Sequence, residues 1–240
     1  MKTLSRISIA LLLLITTTSC YFDGVKGNRN VITQQRKLSS DFNAIDVSQG
    51  IEVYLTISDN VSLSLEADEN LHDIIITEVN DGVLHVYAEK NIWSAKSRKV
   101  YVTARSINEI VATSGAGVRS ENTIIAEDFK IKATSGSNVR LQLKVDNLTC
   151  NTTSGANARL KGKAISFNVK STSGSNIKAQ ELETESCTAK VTSGSNVYVN
   201  VTNSLNAKAT SGGDIRYIGN PKKVQENSSS SGSIRNKQNS

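Results

Sequence analysis

Thr134-Ser135-Gly136-Ser137-Asn138-Val139, Thr153-Ser154-Gly155-Ala156-Asn157-Ala158 and Thr172-Ser173-Gly174-Ser175-Asn176-Ile177 are three versions of one hexapeptide, set 19 residues apart. Thr113-Ser114-Gly115-Ala116-Gly117-Val118 precedes them. Thr192-Ser193-Gly194-Ser195-Asn196-Val197 and the variant Thr210-Ser211-Gly212-Gly213-Asp214-Ile215 follow, and a last Ser-Gly pair ends at Gly232. From Gly115 the glycines are spaced 21, 19, 19, 20, 18 and 20 residues apart. A turn signal recurring at a period near twenty is the mark of a solenoid with one coil per repeat.

Aligning the repeats on their glycines separates inward from outward positions, because strand side chains alternate. Seven residues before the glycine stand Phe129, Leu148, Phe167, Cys187 and Leu205; five before it stand Ile110, Ile131, Cys150, Val169, Ala189 and Ala207. Three after it come Val118, Val139, Ala158, Ile177, Val197 and Ile215; five after it come Leu141, Leu160, Ala179, Val199 and Tyr217. These columns face inward, and each coil reads as two short strands joined at the Thr-Ser-Gly bend. Burying an aliphatic side chain stabilises by about 1.5 to 3 kcal/mol, so four or five per coil do not offset the entropy of ordering it. Coils must stack to be stable. The bend glycine needs either a positive φ or space where a Cβ would stand, and the Asn two residues later suits left-handed geometry and can ladder its amide along the stack. Cys150 and Cys187 fall in inward columns two coils apart, beyond disulfide reach, and read as buried free thiols.

The outward columns carry charge. Four residues after the glycine stand Arg119, Arg140, Arg159, Lys178, Tyr198 and Arg216, and four before it stand Lys132, Lys170, Lys190 and Lys208. Neighbouring outward columns hold Gln, Asn, Thr or Ser, so no acid is expected to neutralise the stripe within its own face. Like charges at strand spacing cost a few tenths to about 1 kcal/mol each, so the fold gains nothing electrostatically from them. Two readings follow: lysines and arginines that keep a regular β surface from associating laterally, or a ligand-binding stripe of Arg119, Arg140, Arg159, Lys178 and Arg216 for a repetitive anion.

Outside the repeats, Lys2 and Arg6 precede an apolar run from Ile7 to Ile15 that is too short to span a bilayer, which is the pattern of an export signal. It ends in Thr17-Thr18-Ser19-Cys20, which resembles the lipobox of bacterial lipoproteins and implies lipidation at Cys20, hence a partner in the membrane. The expected organisation is a signal over 1–19, a polar tether over 20–40 and one all-β solenoid domain over 41–236, with 237–240 as a tail. Within the domain, 41–106 is an N-terminal β region, 107–220 the coils and 221–236 a frayed terminal cap. Alternating segments in the first part run over Phe42 to Val47, Ile51 to Ile57, Val61 to Leu65, Ile74 to Val79, Val83 to Ala88 and Val100 to Ala104. Asn80-Asp81-Gly82 marks a hairpin turn, and Asp68 to His72 one helical turn. The formal charge is +6; removal of Lys2 and Arg6 with the signal leaves +4. An exported chain of this mild basicity, without aromatic platforms, is not expected to bind nucleic acid.

The run Phe42-Asn43-Ala44-Ile45-Asp46-Val47-Ser48-Gln49-Gly50-Ile51-Glu52-Val53-Tyr54-Leu55, the segment Glu78-Val79-Asn80-Asp81-Gly82-Val83-Leu84, the Ser-Gly coils and Tyr217-Ile218-Gly219-Asn220-Pro221 together resemble the head GIN domain family. That family is named for auto-transporter adhesins, was long catalogued as a domain of unknown function, and is frequent in Bacteroidetes-type lipoproteins. The resemblance covers about residues 38 to 236, with Glu52 where the family name has Asn. It implies a right-handed parallel β-helix, a lipid-anchored place in the cell envelope at the outer membrane, and no catalytic residues to carry over.

Nothing in the residues calls for a metal or a cofactor. His72 and His85 lie thirteen apart without partner cysteines and read as surface or edge residues. No nucleophile elbow, P-loop or dinucleotide fingerprint is present, and periodic Ser-Gly pairs are unlike a unique nucleophile. The leading expectation is a non-enzymatic surface that binds an anionic polysaccharide, lipopolysaccharide or a surface protein. A carbohydrate-active enzyme would instead need convergent carboxylates from residues 41–106, and an assembly subunit would oligomerise through its coil ends.

Overall fold

The computed structural model describes residues 24–237. The signal, Cys20 and the last three residues lie outside them. Strands in chain order are β1 (Val25–Lys26), β2 (Val31–Gln35), β3 (Ala44–Val47), β4 (Glu52–Ile57), β5 (Ser62–Asp68), β6 (Ile75–Asn80), β7 (Val83–Ala88), β8 (Ile92–Ser94) and β9 (Arg98–Ala104). A 3-10 turn at Glu69–Leu71 follows β5. Then come β10 (Glu109–Ala112), β11 (Gly117–Ala133), β12 (Asn138–Thr152), β13 (Asn157–Ser171), β14 (Asn176–Val191), β15 (Asn196–Ala209), β16 (Asp214–Ile218), β17 (Lys223–Ser228) and β18 (Ser233–Asn236).

From β10 onward each coil lies parallel on the one before, in register on both sides of the bend, with bulges between taking up the differences in coil length, so the chain is the expected β-solenoid. The four inward columns are buried throughout. Two details of the coil differ from expectation. A coil is not two short strands but one strand of 14 to 17 residues, β11 to β15, that turns a corner where successive residues face outward, as at Asp146-Asn147. Its interior is also larger: between Gly136 and Gly155 the buried residues are Ser137, Val139, Leu141, Leu143, Val145, Leu148, Cys150 and Thr152. The extra columns escape a sequence reading because they include Ser and Thr, which look outward by type.

The bend is a type I′ turn, with both central residues at positive φ: 50 to 55° for the serines and 67 to 75° for the glycines from Gly115 to Gly212. Ser137 donates its N–H to the Thr134 carbonyl at 3.2 Å, closing the turn, while Gly136 donates to the Ser154 carbonyl of the next coil at 3.0 Å. A Cβ on Gly155 would meet nothing within 4 Å, so backbone geometry rather than space selects glycine there. The left-handed residue beside it is Ser, not the Asn anticipated for that role. Asn instead opens the strand and forms the ladder: Asn176 Nδ2 donates to Asn157 Oδ1 at 3.3 Å and Asn196 Nδ2 to Asn176 Oδ1 at 2.8 Å.

The N-terminal region belongs to the same stack. Ser48-Gln49-Gly50-Ile51 makes the same bend, with Gln49 and Gly50 at φ 58° and 68°, and places β3 against β10 and β4 against β11. On the outer side of that coil lie β7 and β9, so the second coil in sequence is the first in space. The Asp81-Gly82 turn joins β6 to β7 as a hairpin, as expected. Residues 20–40 are not a tether throughout: β1 pairs with β8 and β2 with β5, because partners distant in sequence supply edges that these short polar strands can join. His72 is buried rather than superficial, its Nε2 3.3 Å from the Ala67 and Ile32 carbonyl oxygens. At the far end the bend falls on Ser230-Ser231, not on Gly232, and Ser231 occupies the glycine position. The segment expected to fray is a further coil, β17 on β15 and β18 on β16.

Candidate functional surface

Register brings the expected binding residues into one column. Arg119, Arg140, Arg159, Lys178, Tyr198 and Arg216 are successive Cα partners. The column extends past both ends of the sequence-derived stripe: Tyr54 pairs with Arg119, Tyr101 with Tyr54, and Arg235 with Arg216. Counting four residues on from Gly50 and from Ser231 reaches Tyr54 and Arg235, but neither bend carries the Thr-Ser-Gly signature that would have flagged it. Tyr54 and Tyr101 stack at 5.2 Å between ring centroids, and the Arg216 guanidinium lies 5.3 Å from the centre of the Tyr198 ring.

The stripe is partly neutralised, contrary to expectation. Arg119 Nε lies 3.2 Å from Glu121, which follows it on the same outward face, and Arg216 Nε lies 2.6 Å from Asp214, an ion contact rather than an aligned hydrogen bond. Among the described residues no carboxylate comes within ion-pairing distance of Arg140, Arg159 or Lys178, all of which are exposed. The free positive charge therefore sits at the middle of the column.

Two shallow grooves flank the bend ridge. One, of about 210 Å3, is lined by Asn138, Arg140, Asn157, Arg159, Asn176 and Lys178. The other, of about 410 Å3, is lined on the opposite side by Lys132, Thr134, Asn151, Thr153, Lys170 and Thr172. Between them the turn exposes the Ser135, Ser154 and Ser173 hydroxyls. Cationic side chains beside repeated neutral donors and acceptors can hold a polymer that carries both acidic groups and hydroxyls.

The carboxylates of the N-terminal region do not converge. Asp46 faces His85 at 3.7 Å. Glu66 accepts from the Ser97 hydroxyl at 2.7 Å, Lys99 at 3.0 Å and Tyr101 at 3.1 Å, contacts that hold its carboxyl below the usual range against partial burial. Asp68 is buried and accepts three backbone N–H groups. Among the described residues no group of three His, Cys, Asp or Glu side chains is placed to hold a metal. Cys150 and Cys187 are buried and unpaired, and burial pushes both thiols up to about 12.

Residues 41–221 match the family described as "Putative auto-transporter adhesin, head GIN domain". A "putative adhesin" from Bacteroides fragilis superposes with a TM-score of 0.82 at 24% identity, covering 89% of this chain and 100% of that one. A "putative lipid binding protein" from Parabacteroides distasonis gives 0.72 at 20% identity, and a "putative adhesin" from Parabacteroides merdae 0.70 at 22%, each covering 89% of this chain and 99% of its own. At these identities the likeness establishes the fold. Among curated proteins no match is found.

Proposed function

We propose that this chain, which belongs to the head GIN domain family, is a non-enzymatic envelope lipoprotein, anchored in the outer membrane through Cys20, whose coils bind a linear anionic glycan such as the acidic saccharides of lipopolysaccharide. The observation that carries the reading is the unpaired run Arg140-Arg159-Lys178, held in register beside the Asn groove. Coils repeat at about 4.8 Å, close to the advance of a pyranose residue in an extended polysaccharide, so successive sugars can meet successive coils in equivalent ways. Arginine fits carboxylate and sulfate groups bidentately, and the Asn and Thr columns match sugar hydroxyls.

Heparin serves as a polyanion probe. Replacing Arg140, Arg159 and Lys178 together by Gln is expected to weaken heparin binding at least tenfold and flatten its salt dependence, with stability unchanged or slightly raised as repulsion is relieved. Replacing Arg119 and Arg216, whose charges are already met by Glu121 and Asp214, is expected to do much less. Equal affinity of the wild type and the triple variant would refute glycan binding by this column. Anchoring is tested separately by the mass of the N-terminal peptide and by release of the Cys20→Ser variant from membranes.

A further inference from the structure

Trp93 is the one tryptophan in the chain, and it is 79% exposed on β8. Burying an indole ring would contribute substantially to folding, so an indole left outside on an ordered strand points to something that covers it. What lies beside it narrows the choice. Gly24 rests against the Trp93 side chain: a Cβ on Gly24 would stand 3.2 Å from Trp93 Cβ. Val25 donates its N–H to the Asn91 carbonyl at 2.8 Å and Gly27 to that of Ser94 at 2.8 Å, which fixes β1 along β8. Buried Asp68 then ties the far ends of both strands to the body, accepting from the N–H groups of Arg29 at 2.9 Å, Lys96 at 2.9 Å and Ser97 at 3.0 Å.

Cys20 is four residues before Gly24. A chain of that length reaches at most about 14 Å when fully extended. If Cys20 is held at a bilayer, the β1–β8 ribbon has no room to stand away from it. We infer that Trp93, flanked by the exposed Lys26, Lys90 and Lys96, is a membrane-facing foot that seats in the bilayer interface and fixes the solenoid by its N-terminal end. Tryptophan favours the headgroup level, where its ring is apolar and its N–H finds water, and lysines beside it, outnumbering Glu89 in the same turn, suit anionic headgroups. The inference rests on the lipid anchor proposed above for its occurrence in the cell.

A single tryptophan makes the test direct. The chain from Cys20 onward is coupled through the Cys20 thiol to maleimide-bearing lipid in vesicles of phosphatidylethanolamine and phosphatidylglycerol; Cys150 and Cys187 are buried and do not compete. Coupling is expected to shift Trp93 emission to the blue, cut iodide quenching several-fold and introduce quenching by brominated acyl chains. A Trp93→Phe/Val224→Trp variant moves the probe to β17 at the opposite end of the stack, where Val224 is 45% exposed, and is expected to show none of these changes. Coupled protein whose Trp93 stays open to iodide, or lipid contact reported equally from both ends, would overturn the foot. Absence of acyl groups on Cys20 of the cell-derived protein would overturn the anchor instead, and the two failures are read in different experiments.

Discussion

Ser137 and Ser195 occupy the same inward position, one residue after the bend glycine, and have opposite energetics. Ser195 Oγ lies 2.7 Å from both the Thr192 and the Ser171 carbonyl oxygens, which share its one proton, whereas Ser137 Oγ is buried without a partner. Ala116 and Ala156 fill that position in the adjacent coils. Ser195→Ala is therefore expected to cost about 1 kcal/mol in chemical unfolding, and Ser137→Ala to be neutral or to stabilise by up to about 1 kcal/mol. Glycines divide in a similar way. Gly155→Ala meets open space and bears only the left-handed penalty of about 1 to 2 kcal/mol, and Gly155→Val, branched at Cβ, several times more. At Gly162, with φ 114°, a Cβ would run into the Leu143 carbonyl oxygen, so Gly162→Ala should exceed 3 kcal/mol. The period made the first glycine legible in the sequence. Gly162 was not, because its constraint comes from a neighbouring coil and recurs with a positive φ at only one other described position, Gly219, where a Cβ would meet the Val201 carbonyl oxygen.

Among the elements, the coils announced themselves by alternation, though as pairs of short strands rather than single long ones, while β1, β2 and β8 did not. They are two to five residues long, and a pairing partner far away in sequence makes each of them a strand. Asp68 is the hub of that assembly. Burial works to raise its carboxyl pKa, but the N–H groups of Ser97, Arg29 and Lys96 outweigh it and hold the group below the usual carboxylate range. A folded pKa below the unfolded one means that the stabilisation is complete above the unfolded value, near 4, and is lost as pH falls through the folded value. Unfolding free energy should accordingly be flat from pH 8 to 5 and decline below pH 4. Asp68→Asn, which sets an amide N–H against that of Arg29, should cost about 2 kcal/mol at pH 7 and show a shallower acid decline. Amide exchange at Arg29, Lys96 and Ser97 reads the same event locally.

For the whole molecule, the order of coils in space was the least legible feature. Nothing periodic in residues 83–104 shows that β7 and β9 stack outside β3 and β4, since an intervening hairpin and a 3-10 turn carry the chain back over itself. That return closes the N-terminal end with antiparallel strands, and it sets β8 beside the first described residue. From there the basic column climbs away coil by coil, so an anchor at the closed end would present Arg140, Arg159 and Lys178 outward from the membrane.

A stack stabilised by neighbours can also lose a level. Deleting residues 156–174 joins Gly155 to Ser175 and leaves the bend Thr153-Ser154-Gly155-Ser175, equivalent to the Thr-Ser-Gly-Ser of the next repeats. Register then sets Val139 under Ile177, Cys150 under Ala189 and Arg140 under Lys178, all matched in facing. The shortened chain should fold cooperatively, shorter by about 4.8 Å in small-angle scattering. At a typical 0.05 to 0.15 kcal/mol per residue, its stability should fall by about 1 to 3 kcal/mol. Deleting one residue fewer, 156–173, keeps Gly174 as an extra residue at the bend and throws the strand out of phase, turning apolar columns to solvent. That variant should lose its cooperative transition, and if it folded as well as the 19-residue deletion, inward columns would not be what defines a coil.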